Sequence, residues 1–190
     1  MPSRRQILAW PLLLLPASCA FLKTVPPDRI FALTPLPPAP LAPSNNPKIA
    51  VAAPTSLRVL DSARIVNRSS ELEFQYYSGA AWADLAPTML QSLMISSLRN
   101  RLQAKVTSDE FNSTGTPLTS DLQDFQIEPG NLTHITLVTS FAGQTKTFES
   151  RQNALSDRMT DLVAAFDQGF HDVMGQMAEW IASAPAVTAE

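Results

Sequence analysis

At 190 residues, 45% of them hydrophobic and 16% charged, the chain has enough apolar material for one ordinary core, which excludes global disorder and a mere membrane anchor. Fourteen Lys+Arg face 17 Asp+Glu, a formal charge of −3. Beyond residue 18 the basic residues are scattered, with only Arg99 and Arg101 close together, and a polyanion binder needs them clustered, so nucleic acid is excluded as a partner.

The N-terminus reads as an export signal. Arg4 and Arg5 precede an apolar run from Ile7 to Leu15, and the small residues Ala17 and Ser18 lead to Cys19. The run is about half the ~20 residues a spanning helix needs, and Pro11 and Pro16 would break it. Residues 1–18 are therefore expected to be removed. Twelve basic residues then face 17 acidic ones, a formal charge of −5. Leu15-Pro16-Ala17-Ser18-Cys19 resembles the bacterial lipobox, with Pro16 where that motif usually carries Leu. Cys19 is the only cysteine, so no internal disulfide can form, and lipid modification of Cys19 accounts for it. Two or three acyl chains on one cysteine hold a protein on a membrane stably where a single chain does not. Ser3-Arg4-Arg5-Gln6-Ile7-Leu8 also resembles a twin-arginine signal, which leaves the export route open.

Eight of the 16 prolines fall between Pro26 and Pro47, marking residues 19–47 as an extended tether behind the lipidated cysteine. Inside it, residues 30–34 form a proline-free apolar stretch fit for an edge strand.

The folded domain is expected over residues 48–184. Lys48 to Ala52 reads as a strand. Ser62 to Arg68 and Glu71 to Tyr77 read as a hairpin turning at Asn67 to Ser70, with Leu72, Phe74 and Tyr76 on its apolar face. Asp84 can cap a helix whose first turn tolerates Pro87, and Leu85, Met89, Leu90, Leu93, Met94, Leu98 and Leu102 recur at helical spacing. Four further strands follow, Lys105 to Phe111, Asp121 to Glu128, Thr133 to Ala142 and Thr145 to Arg151, separated by turn residues around Gly115, Pro129-Gly130 and Gly143-Gln144. A second helix starts near Ser156 and carries a stripe from Met159 through Leu162, Phe166, Phe170 and Met177 to Ile181. Residues 185–190 read as a disordered tail. The order gives one α+β domain, a mostly antiparallel sheet with two long helices packed on one face.

Laid out in this order, the chain resembles the ABC-type transport auxiliary lipoproteins of the paraquat-inducible-operon C type (PqiC-like), partners of mammalian-cell-entry (MCE) proteins. The residues carrying the resemblance are Cys19, Phe31-Ala32-Leu33, Ala63 to Val66, Leu72 to Tyr77, Ser78 to Asp84 and Asp121 to Phe125. Phe31 stands where the family often has tyrosine. The resemblance implies a periplasmic lipoprotein on the outer membrane, where Ala20 after the cysteine fits sorting. It further implies work with an MCE-domain protein and an ABC transporter permease and ATPase, moving lipids or other hydrophobic substrates between membranes.

No Gly-x-Ser-x-Gly, no free mature cysteine and only two distant histidines, His134 and His171, speak against an enzyme; no catalytic residue, metal ligand or cofactor is assigned. Asp109-Glu110 and Asp121 with Asp124 read as solvated loop charge. Trp82, Tyr76 and Tyr77 are the aromatics with a polar handle, weighed between core anchoring and partner contact. A lipid-carrying module enclosing an apolar groove is the alternative from a different class, and an envelope hydrolase a remote third. Homo-oligomerisation stays open.

Overall fold

The computed structural model describes residues 27, 29–39, 48–102, 104–109 and 115–184. The signal segment, Cys19, most of the tether and the tail at 185–190 lie outside the described residues. In chain order the elements are β1 (Arg29–Phe31), β2 (Lys48–Val51), β3 (Thr55–Ser56), β4 (Arg64–Ser70), β5 (Glu73–Trp82), α1 (Ala86–Leu102), β6 (Lys105–Ser108), β7 (Thr116–Glu128), β8 (Leu132–Phe141), β9 (Gln144–Asn153) and α2 (Met159–Ser183).

Among the described residues the strands form one nine-stranded sheet arranged about β7. Along one edge β7 pairs with β8 over nearly its whole length, and β8 pairs with β9, both antiparallel. Along its other edge three short strands line up in succession, all parallel to it. Ile49 of β2 sits opposite Thr116, Thr55 of β3 opposite Asp121, and Val66 of β4 opposite Gln126. Residues 48–70 thus run beside β7 as one interrupted strand. Its longest interruption is the loop 57–63, where Leu60 turns back into the core at 3% exposure. β5 returns antiparallel on β4, β1 adds parallel to β5, and β6 adds parallel to β2.

This corrects the expected sheet. The long hairpins are antiparallel, but the joins that close the sheet are parallel, so it is mixed. At the start of β7 a Cβ on Gly115 would come within 3.0 Å of the Ala50 nitrogen and the Ile49 carbonyl carbon. Only glycine lets β2 and the start of β7 lie so close.

Period-two alternation explains the sheet's two faces. Leu118, Leu122, Phe125 and Ile127 of β7, Ile135 and Leu137 of β8 and Phe148 of β9 are buried beneath the helices. A bulge between Leu122 and Asp124 keeps both halves of β7 facing inward despite the odd spacing. α2 closes the core with Met159, Leu162, Phe166, Phe170, Val173, Met174, Met177 and Ile181, the stripe expected from sequence. It starts three residues later than expected. α1 buries Met89, Leu90, Leu93, Met94, Leu98 and Leu102, while Leu85 stays 44% exposed just ahead of the helix. Asp84 lies one position too early to cap the helix, and its carboxylate accepts from the Leu85 amide instead. Pro87 sits in the first turn, where its missing N–H costs nothing.

The β8–β9 turn is two residues long, Ala142-Gly143, both at positive φ (50° and 75°), one position earlier than expected. Such primed turns match strand twist but strain an alanine. Ala142→Asn should therefore raise stability by about 0.5–1 kcal/mol, read as a higher denaturant midpoint at unchanged slope.

Candidate functional site

The segment following the N-terminal prolines is built into the body. β1 pairs with the end of β5, and Leu33 and Leu36 are buried at 5% and 8% exposure. Thr34 is clipped to α2: its amide and hydroxyl donate to Asp167 at 2.6 and 2.9 Å, and His171 Nε2 lies 3.1 Å from the Thr34 carbonyl oxygen. On α1, Ser97 Oγ accepts from the Leu36 amide and Asn100 donates to its carbonyl. Residues 29–39 belong to the domain wall, in keeping with the edge strand expected over residues 30–34, and sequence reading missed His171 as part of this clip. Asp167→Ala should release the segment, so amide exchange at residues 31–36 should accelerate by tenfold or more while the β7–β8 ladder keeps its protection.

The three aromatics weighed for partner contact separate in the structure. Trp82 is 2% exposed, and its ring lies 5.1 Å from Phe125 and 5.3 Å from Phe166, which themselves approach to 5.0 Å. It is a core residue, the first of the two roles weighed for it. Tyr76 and Tyr77 are half-buried and hold neighbouring loops. The Tyr76 hydroxyl reaches the Val59 carbonyl under the Arg64 guanidinium, and the Tyr77 hydroxyl donates to the Asp157 carbonyl at 3.2 Å.

The hairpin departs from expectation more strongly. Its turn is Glu71-Leu72, not Asn67 to Ser70, so β4 and β5 extend past the end of the sheet. Leu72 is 96% exposed and Phe74 40%, with the Arg68 guanidinium 5.4 Å over the Phe74 ring and Tyr76 half-buried on the same face. Beside the tip an open groove is lined by Arg68, Ser70, Glu71, Leu72, Glu128 and Pro129.

On the helix-free face, alternation along β8 places His134 and Thr136 opposite Gln126 and Asp124 of β7 and Arg151 and Glu149 of β9. His134 is 4% exposed under these long polar neighbours. Its Nδ1 lies 2.8 Å from Glu128 and its Nε2 3.0 Å from Glu149, with Asp124 at 3.8 Å. Arg151 bonds Glu149 at 2.9 Å and approaches Glu128 at 3.9 Å. This is a polar clasp across three strands, in which the Thr136 hydroxyl also lies 3.0 Å from His134 Nε2. Among the described residues no three His, Cys, Asp or Glu side chains converge as a metal site requires, and no helix is long and apolar enough to cross a membrane.

Burial pushes the Glu128 carboxyl upward, but hydrogen bonds from His134 and Gln126 and the nearby Arg151 outweigh it, so the group sits below its ordinary value. The stabilisation is present above the ordinary carboxylate value and lost as pH falls through the lowered folded one. Acid unfolding of Glu128→Gln should accordingly show a shallower pH slope below the ordinary carboxylate range than the unsubstituted chain.

A family model described as the ABC-type transport auxiliary lipoprotein component matches residues 31–178, from within β1 to near the end of α2. The chain belongs to that family. The auxiliary-lipoprotein domain so defined takes in the clipped segment at Thr34, the buried aromatic triad and the polar clasp. Its family is one of auxiliary lipoprotein components of ABC-type transport. The fold is shared with the crystal structure of a Xanthomonas campestris protein described under the family model DUF330, at TM-score 0.68 and 23% identity over 80% of this chain and 94% of that one. A second crystal structure, of an uncharacterized protein, aligns at TM-score 0.66 and 15% identity over 82% and 99% of the two chains. No curated protein matches the sequence.

Proposed function

We propose that this auxiliary lipoprotein is anchored through Cys19 to the periplasmic face of the outer membrane. There it joins an MCE-domain protein and an ABC permease and ATPase in moving lipids or other hydrophobic substrates between the two membranes. The family match over residues 31–178 carries the reading, since it ties the folded domain to an ABC-type system. Ala17-Ser18-Cys19 supplies the anchor and Ala20 the sorting signal in this reading. Cross-linking in intact envelopes followed by capture of this protein should recover the MCE-domain partner. Repeated recovery without one, together with an intact membrane barrier after deletion, would overturn the proposal.

The packing of the domain favours an assembly role over lipid carriage. Trp82, Phe125, Phe148, Phe166 and Phe170 fill the layer between sheet and helices, all at 2% exposure or less. Native mass spectrometry reads both points, because bound lipid would support carriage and the copy number per particle gives the oligomeric state.

A further inference from the structure

The two most exposed large apolar residues among those described, Leu72 and Leu155, both at 96%, stand at the same end of the molecule. β4 runs parallel to β7 with Asn67 opposite Ile127, so the β4–β5 tip and the β7–β8 turn lie together. The Ala154 amide donates to the Asn131 carbonyl in that turn at 2.9 Å, which brings Leu155 to the same end. Phe74, 40% exposed, adds a third apolar group beside Leu72. Apolar side chains gathered on one end of a polar domain mark a surface that something covers.

The direction of β1 indicates what. β1 is parallel to β5, with Arg29 opposite Ala80, and β5 runs from the tip at Glu73 toward Trp82. The chain therefore enters β1 from the tip side. Leu72 precedes Ala80 by eight residues, a reach of at most ~28 Å, and Cys19 precedes Arg29 by ten, at most ~36 Å. A membrane gripped by Cys19 is thus within range of the tip, and tethering keeps the two at high effective concentration. Charges around the tip are mixed, Arg68 and Arg158 against Glu71, Glu73 and Glu128, with Glu73 bonded to Ser69 and Gln75. Charge alone would select no strongly anionic or cationic partner, and the apolar groups set the choice.

We propose that the β4–β5 tip inserts Leu72 and Phe74 into the headgroup boundary of the bilayer that carries the Cys19 anchor, making a second, non-covalent foot that fixes the domain's orientation. The proposal rests on the anchor reading given above.

The test uses the mature protein carrying Leu72→Trp, extracted from membranes and reconstituted into phosphatidylethanolamine vesicles with a minority of phosphatidylglycerol, with and without brominated acyl chains. Leu85→Trp, just beyond the far end of β5, is the control. Expected is at least twofold quenching of the added emission by brominated lipid in Leu72→Trp, insensitive to salt, with little in Leu85→Trp. No quenching in Leu72→Trp, or equal quenching in both, overturns the proposal. So does an unquenched blue shift that grows with protein concentration, which would mean a second copy covers the tip, or one that needs an added envelope protein. Intact-mass analysis separates the two readings. A modified Cys19 with an unquenched tip removes the foot alone, whereas an unmodified Cys19 removes the anchor and the foot with it.

Discussion

Phe166→Ala is expected to lower the stability of the domain by about 3–5 kcal/mol, near the top of the range for a single core truncation. Phe166 comes from the first half of α2 and is fully buried. Its ring meets Trp82 at the end of β5 edge-on at 5.3 Å and Phe125 of β7 at 5.0 Å. One truncation removes burial and two aromatic contacts, each worth about 0.5–1.5 kcal/mol beyond area. It also opens a cavity where strand β5, strand β7 and the closing helix converge, a place the backbone cannot easily collapse into. Chemical denaturation should show the midpoint falling with its slope unchanged, and thermal unfolding a loss on the order of 10 °C. Phe166→Leu, which keeps most of the volume, should cost under about half as much. Equal effects for the two variants would mean that the triad is not where the three elements are locked.

The same triad shows why part of the fold was legible in the sequence and part was not. α2 declares itself because Met159, Leu162, Phe166, Phe170, Val173, Met177 and Ile181 share one helical stripe, a local periodicity that burial then respects. β8 and β9 are equally readable, since Ile135 and Leu137 alternate with His134 and Thr136 and the turn supplies Gly143. The polar clasp was latent in that alternation, but its partners Glu128 and Glu149 become neighbours only through cross-strand register. The sequence leaves Trp82 between core anchoring and partner contact because nothing within a few positions covers it. Its cover comes from Phe125 and Phe166, 43 and 84 positions away. The parallel joins escaped for a related reason: β2, β3 and β4 each meet β7 over two or three residue pairs, too few to leave a pattern. Leu72 and Phe74 do alternate as a buried face should. The hairpin runs beyond the sheet and the helices, so the pattern is real while Leu72 at its tip stays exposed among the described residues.

Cys19→Ser is expected to have the largest effect on function while leaving the domain's stability unchanged. On the proposed reading, the acyl chains on Cys19 contribute about 0.8 kcal/mol per buried methylene, so losing two or three chains shifts the membrane partition by many orders of magnitude. The Leu72 and Phe74 tip cannot compensate, because burying two such side chains contributes only about 3–6 kcal/mol, close to the marginal hold of a single myristoyl chain. The substituted protein should therefore leave the membrane pellet, and the membrane-barrier phenotype should match that of deletion. The first described element, β1, begins ten residues after Cys19, and Thr34 is held to Asp167 and His171 independently of any membrane. Thermal unfolding of the released protein should thus equal that of the anchored form in detergent. If the substituted protein stayed in the pellet after a salt wash, Cys19 would not be what holds it there. If it were released yet fully active, membrane attachment would be dispensable, and the domain's contact with its transport partners would by itself place it where it works.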